Sequence, residues 1–305
     1  MPAVRSAEEI RDVNTRYHDV AAESYDSKWG IDFGEVGQAQ VLGKLRKVLG
    51  SQLDSGFERS LEIGAGTGYF SLNLLQAGVV RQATCTDISP GMVRTLSVNA
   101  ARLNLSVRTA RADAESLPFP GQSFDLVLGH AVLHHLPDLE RAFSEFFRVL
   151  RPGGWIAFAG EPSRLGDRLA SVPKRGAAVL APVWRAAMRA APPSTDAQSS
   201  GENQHDHALE RLVDIHAFEP RALTDLAERA GFERIHVRGE ELVANWFGWF
   251  NRALEASANP GDVPVLWRRY AFHGYLALQR LDERVLEPLL PPAIFYNLLL
   301  SGRKG

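Results

Sequence analysis

The sequence has a single cysteine, Cys85, in 305 residues. That excludes an intrachain disulfide and a cysteine-rich zinc site. Cys85 sits in an apolar run, the setting of a buried structural thiol rather than of a nucleophile. Long uncharged apolar runs are missing too: Arg, Asp or Glu interrupts every candidate, so no bilayer span is expected. The stretch from Met1 to Tyr17 is charged and lacks the apolar centre of a signal peptide, which makes a cytoplasmic protein the expectation. An excess of one charge is also absent. With 34 Lys and Arg against 36 Asp and Glu, the formal net charge is -2. The whole chain therefore exerts no pull on nucleic acid or an anionic membrane, although a local basic patch remains open. No internal repeat is visible. What is present is ordinary globular composition, 45% hydrophobic and 23% charged, long enough for one large core with attached lobes or two modest domains.

The first fifty residues read as mostly helical, with Val41, Leu42, Leu45, Val48 and Leu49 at helical spacing before Gly50. A regular alternation follows. Ser60 to Ile63 is a short apolar run, and Phe70 to Ala77 a helix closed by Gly78. Gln82 to Thr86 is a second strand delivering Asp87, and Ser89-Pro90 opens a helix with a hydroxyl cap and a proline in its first turn. Val107 to Ala112 and Phe124 to Gly129 read as the third and fourth strands. Asp138 starts a helix with Leu139, Ala142, Phe143, Phe146, Phe147 and Leu150 on one face. Arg151-Pro152-Gly153-Gly154 reads as a turn before a fifth strand, Trp155 to Ala159. Such alternation predicts an α/β fold with a doubly wound parallel sheet.

After Glu161 the rhythm breaks. The expected organisation is an N-terminal helical segment (1–50), a core (51–162), an insertion (163–216), a core continuation (217–243), a helical aromatic-rich insertion (244–291) and a final core strand (292–305) that includes Ile294 to Leu300. Pro192 to Gly201 is a polar tract that reads as a loop.

Glycines at positions 64, 66 and 68 lie just beyond the first strand, where a parallel sheet binds ligands. They let the backbone approach a ligand without a Cβ. Position 69 is Tyr, so the third glycine of the dinucleotide fingerprint is missing and an NAD-linked oxidoreductase is disfavoured. Asp87, ending the second strand, can accept both ribose hydroxyls of a nucleoside; the other reading is a charge favourable to a helix dipole. Asp113 can accept from an exocyclic amine and Ala114 can offer its amide to a ring, against the reading of Asp113 as a turn residue.

The stretches Glu62-Ile-Gly-Ala-Gly-Thr-Gly68, Asp87-Ile-Ser-Pro-Gly-Met92, Ala112-Asp-Ala-Glu-Ser-Leu-Pro-Phe119, Phe124-Asp-Leu-Val-Leu-Gly-His130 and Leu150-Arg-Pro-Gly-Gly154 occur in order. Together they resemble the class I S-adenosylmethionine (SAM)-dependent methyltransferases, in a small-molecule branch similar to the ubiquinone/menaquinone-biosynthesis enzymes. The resemblance is strong over 60–160 and weak over 17–30 and 217–240. It implies a Rossmann-like seven-stranded sheet with an antiparallel last strand, and SAM as cofactor. It implies that Gly64, Gly66 and Gly68 approach the methionine moiety, with Glu62 and Ala65 counted beside them. Asp87 would bind the ribose, Ile88 would pack on the adenine, and Asp113 and Ala114 would hold its edge. Met92 joins the cofactor set, and His130 is expected near the methionine part. Tyr17 and Tyr25 match aromatics that close over the cofactor, where a tyrosine face can stabilise a sulfonium. Both also read as packing residues of a surface helix.

Methyl transfer from a sulfonium asks the protein chiefly for alignment and exclusion of water. A hydroxyl acceptor benefits from a base. His134 and His135 are the candidates, with a structural role as the other reading; Glu161 can orient a histidine or bind substrate, against the reading of a solvated loop acid before Pro162. His205-Asp206-His207 with His216 lacks a dedicated ligand spacing, so no metal is expected. Trp246, Phe247, Trp249, Phe250, Trp267, Tyr270 and Phe272 either line a pocket for an apolar acceptor or form core. The expectation is a methyltransferase acting on a small molecule, on oxygen ahead of nitrogen or carbon, with a helical lid and no nucleic-acid partner. The alternative is a SAM-binding regulatory or partner protein without turnover.

Overall fold

The computed structural model describes residues 6–22, 25–26, 30–193 and 215–305. The chain divides into two compact units, the first comprising Met1–Glu161, Leu209–Arg238 and Leu299–Gly305, the second Pro162–Ala208 and Gly239–Leu298. A seven-stranded sheet organises the fold, in the order β3 (Arg108–Arg111), β2 (Val80–Asp87), β1 (Phe57–Ile63), β4 (Phe124–His130), β5 (Leu150–Pro162), β7 (Asn297–Lys304), β6 (Phe232–Glu240), with the last strand antiparallel.

In the first unit, α1 (Ala7–Ala21) starts at a reciprocal cap: Glu9 N donates to Ser6 Oγ at 3.2 Å, and Ser6 N donates to Glu9 Oε2 at 2.8 Å. α2 (Glu35–Leu49) buries Val41, Leu45, Val48 and Leu49, the stripe expected from their spacing, and stops at Gly50, whose φ is +54°. β1 (Phe57–Ile63), α3 (Tyr69–Gln76), β2 (Val80–Asp87) and α4 (Pro90–Arg102) follow. Ser89 caps α4, its Oγ accepting from Met92 N at 3.1 Å. β3 (Arg108–Arg111) and β4 (Phe124–His130) complete the adjacent half of the sheet. Parallel pairing joins β3 to β2, β2 to β1, β1 to β4, and β4 to β5 (Leu150–Pro162). α5 (Leu139–Val149) buries Ala142, Phe143, Phe146 and Val149 and is capped by Asp138, which accepts from Arg141 N at 3.0 Å.

Several boundaries shift by one to three residues, and two departures have a plain structural reason. Arg151–Gly154, read as a turn, belongs to β5. Phe124 pairs with Leu150 while Leu126 pairs with Trp155, so the extra residues bulge out of the ladder around Gly153, at φ +81°. The final strand, β7, runs Asn297–Lys304 rather than from Ile294, because Pro292–Ile294 forms a 3-10 turn first.

The second unit is helical. α6 (Arg164–Met188) is the first described helix after β5. α7 (Pro220–Arg229) and β6 (Phe232–Glu240) return to the sheet, and α8 (Val243–Ala256) and α9 (Val265–Leu281) resume the unit. Its core combines Ala177, Ala181 and Trp184 of α6 with Leu254, Ala258 and Val263; Phe250 and Trp267 pack against it. The Trp184 and Trp267 rings meet edge-on at 5.3 Å. Asp282 is fully buried and accepts from Val243 N at 3.1 Å and Ala244 N at 2.9 Å, satisfying donors that the start of α8 leaves open.

Candidate active site

Between β1 and β4 the strand order reverses, and the loops after both strands open a cleft there. β1 runs directly into Gly64, Gly66 and Gly68, at φ +58°, +53° and +97°. A Cβ on Gly64 would stand 2.4 Å from Val132 Cγ2, and one on Gly68 would stand 2.8 Å from Leu72 Cδ1; beside Gly66 the space is open. Gly64 is thus a packing and conformational requirement, while Gly66 presents bare backbone. The loop is pinned by Ala65 N donating to Thr86 O at 2.9 Å and by Gly66 N donating to Asp87 Oδ2 at 2.9 Å. Asp87 Oδ1 accepts from Ser89 N at 2.9 Å, so one carboxylate joins the glycine loop to the start of α4. Burial pushes the Asp87 carboxyl upward from its ordinary range. Behind the loop, Glu62 is buried, accepts from Ser71 N at 2.9 Å, and is pushed up to about 7 by burial.

About 690 Å³ of space, open solvent at the mouth included, lies inside the cleft. α1 forms one wall. Arg11, Asn14 and His18 project into the lining at i, i+3 and i+7. Arg11 Nε lies 2.9 Å from Asp113 Oδ2, and its Nη2 donates to Glu115 Oε2. Asp113 Oδ1 accepts from Glu115 N at 2.9 Å. Asp113 is therefore paired with a cation, where the sequence suggested a carboxylate open to an adenine amine. Each oxygen keeps a further lone pair for a ligand. Asn14 Nδ2 donates to His135 O at 3.3 Å. Asp19 Oδ1 accepts from Ser89 Oγ at 2.6 Å and from Gly91 N at 2.7 Å. The His18 ring stands 5.1 Å from Tyr17, 6.3 Å from Tyr25 and 5.6 Å from His135. Burial lowers the His18 pKa even though Asp87 pulls the other way, which favours the neutral ring at neutral pH.

Glu161, at the end of β5, is fully buried. Its Oε1 accepts from Val132 N at 2.9 Å and Leu133 N at 3.0 Å; its Oε2 accepts from His134 N at 3.1 Å and lies 2.8 Å from His134 Nδ1. Burial would raise its pKa, but His134 and these amides outweigh that and hold it below the usual glutamate value. The His134 and His135 rings lie 3.9 Å apart. His130 stacks on Phe70 at 4.8 Å.

Of the residues singled out from the sequence, Tyr25, Gly64, Gly66, Asp87, Ile88, Asp113, Ala114, His130 and His135 line the cleft. Tyr17, Glu62, Ala65, Met92, His134 and Glu161 are buried behind that lining, and Gly68 turns the chain into α3 without reaching it. Arg11, Asn14 and His18 were missed, although their common helical face was legible. His205-Asp206-His207 lies outside the described residues. His216 donates from Nε2 to Leu136 O at 3.0 Å, and no metal-holding cluster occurs among the described residues. The cleft's lining contains none of the seven aromatics expected at an acceptor pocket. Phe247 stands 5.6 Å from Tyr270 and Trp249 stands 4.8 Å from Tyr296, all within the second unit.

Residues 61–158 match the family described as Methyltransferase domain. The chain is similar to a malonyl-[acyl-carrier protein] O-methyltransferase of Methylococcus capsulatus, 36% identical over 151 residues, covering 45% of this chain and 53% of that protein. It is also similar to a demethylmenaquinone methyltransferase of Thermus thermophilus, 33% identical over 109 residues, covering 36% of this chain and 50% of that one. The chain thus spans about half the length of the curated relatives it matches. Among solved structures, phosphoethanolamine N-methyltransferase 2 of Haemonchus contortus shares the fold, with a TM-score of 0.58, 16% identity and coverage of 99% of this chain and 60% of that one.

Proposed function

Because this chain carries a class I SAM-dependent methyltransferase domain, we propose that it transfers a methyl group from SAM to an oxygen of a small molecule. The observation that carries this reading is Asp87 at the end of β2, fastened to the Gly66 amide inside the cleft where strand order reverses. The donor set suits the cofactor: bare backbone at Gly66, a strand-end carboxylate at Asp87, apolar Ile88 and an amide at Ala114 share one lining. When bound, SAM supplies the methyl group as an activated sulfonium.

The protein's share is binding, alignment and one proton. Gly64 and Gly66 admit the methionine part, Asp87 takes the ribose hydroxyls, Ile88 packs on the adenine, and Asp113 and Ala114 meet its edge. His130 and Tyr25 bound the methionine end, and Tyr17 supports His18 from behind. His135 lines the cleft, so we assign it as the base that accepts the acceptor's hydroxyl proton. Donation of the His134 Nδ1 proton to Glu161 fixes the His134 tautomer, and His134 in turn backs His135. Glu161 and His134 are positioning residues. Oxygen as the methylated atom rests on this base and agrees with the O-methyltransferase relatives.

The test is S-adenosylhomocysteine formation from SAM across a panel of hydroxyl-bearing small molecules, apolar and polar. His135→Gln should lower kcat at least about tenfold while leaving S-adenosylhomocysteine affinity unchanged. Tight S-adenosylhomocysteine binding without turnover on any acceptor class would sink the catalytic reading and favour a regulatory protein; absence of binding would sink both.

A further inference from the structure

The second unit concentrates what the chain as a whole lacks. Ten of the fifteen large apolar side chains exposed among the described residues stand on α6 and α9. On α6 they are Leu165, Val172, Val179, Leu180 and Val183, and Val179 and Val183 are 77% and 69% exposed. At about 100° per residue, Leu165, Val172, Val179 and Val183 fall within one strip roughly 40° wide and about 27 Å long. The opposite face holds the buried Gly166, Ala170, Pro173, Ala177, Ala181 and Trp184. Arg164, Arg168 and Arg175 form the strip beside the aliphatic one. Over its length α6 carries five cations against the single acid Asp167, a formal +4. α9 buries none of its residues. It exposes Val265, Leu266, Tyr270, Phe272 and Leu281 beside Arg268, Arg269 and Arg280, and it contains no acid. Arg168, Arg175, Arg269 and Arg280 are exposed and make no ion pair among the described residues.

Some cations of the unit have internal work. Arg185 Nη1 donates to Ser257 O at 3.1 Å, Lys174 lies over the Trp249 ring at 5.3 Å, and Arg268 donates to Pro260 O. Arg168, Arg175, Arg269 and Arg280 do not. We propose that the outer faces of α6 and α9 bind anionic lipid surfaces, making the second unit a peripheral membrane-binding module. Helices that pair exposed aliphatic and aromatic side chains with unpaired arginines and almost no acid are suited to a charged lipid interface. An acidic protein would satisfy the arginines. The long aliphatic row asks in addition for a continuous apolar phase, which a bilayer supplies without shape matching. Arginine stems can lie along that phase while their heads stay at the phosphates. The proposal stands independently of the methyl acceptor.

The experiment is co-sedimentation of the full chain with vesicles of phosphatidylcholine alone and of phosphatidylcholine mixed with phosphatidylglycerol, across a salt series. Binding should appear with the anionic vesicles and weaken with salt. It should fall at least about tenfold on neutral vesicles, in Val179→Asp/Val183→Asp and in Arg168→Glu/Arg175→Glu. All four changed residues are exposed, so unchanged melting temperatures will show that both variants remain folded. No binding to anionic vesicles, or binding unchanged in either variant, overturns the proposal. Equal retention of wild type and Val179→Asp/Val183→Asp by polyglutamate, without vesicle binding, would assign the face to an acidic protein instead. Light scattering that shows a dimer, dissolved by the valine variant, would assign it to a second copy.

Discussion

The two units handle polar groups in opposite ways. In the first, each buried acid around the cleft is tied to backbone: Glu62 to Ser71, Asp87 to Gly66 and Ser89, Glu161 to three successive amides. In the second, among the described residues, buried Asp282 is tied to backbone at the start of α8, while buried Glu241 is held by the side chains of Tyr275 and Gln279. The outer faces of α6 and α9 leave large apolar side chains in solvent. A site that must hold a ligand to a fraction of an ångström fixes its carboxylates with directional bonds. A surface that meets a partner without fixed geometry needs area and charge instead. The difference separates a preorganised pocket from an adaptable face.

Breaking the first unit should therefore be far easier than breaking the second. The largest effect is expected of Glu161→Ala, which strands three amides and His134 in a buried site. Thermal or urea denaturation should show a loss of about 3–5 kcal/mol. Glu62→Gln should reveal the penalty of burying a charge. Burial pushes the native pKa up to about 7, above the ordinary glutamate value of 4.5. The native state therefore holds the proton more tightly, and wild-type stability falls as pH rises from about 4.5 to 7, then levels off. Gln lacks that dependence, so the variant should gain on wild type by up to about 3 kcal/mol between pH 5 and pH 8. Gly64→Ala should cost about 2 kcal/mol through its positive φ and the contact with Val132, and should weaken S-adenosylhomocysteine binding in calorimetry. Arg11→Ala, which takes the cation from partly exposed Asp113 and from buried Glu115, should cost about 1–2 kcal/mol. Val179→Ser on α6 should shift stability by no more than about 0.5 kcal/mol; a larger loss would show that the face is packed, and would blunt the contrast.

The parts of the first unit legible in the sequence were those whose reasons are local. The φ demanded of Gly64 and Gly66, the Ser89-Pro90 cap and the Phe143/Phe146 stripe each follow from neighbours a few residues away. What escaped was long-range. Arg11 meets residues 102 and 104 positions further along the chain, and Glu161 reaches back to Val132. Such pairings depend on how strands stack in space, which spacing does not encode. Asp113 shows the limit well: its place at the end of a strand was readable, its cation was not. The bulge in β5 escaped because Pro-Gly-Gly suits a turn and a bulge equally. In the second unit, the aromatics were visible while their packing against one another was not, since helical spacing names a face without naming its neighbour.

The double attachment of Asp87 has a practical consequence for enzymology. Replacing it removes the tether of the glycine loop along with the group that would meet the ribose, so the variant reports on architecture and recognition together. The cleaner perturbation lies on the ligand. A cofactor analogue lacking one ribose hydroxyl leaves Gly66 and Ser89 with their acceptors, and its lost affinity measures recognition alone. Comparing that loss with the loss in Asp87→Asn, whose amide retains one acceptor oxygen, would divide the residue's contribution between holding the protein and holding its guest.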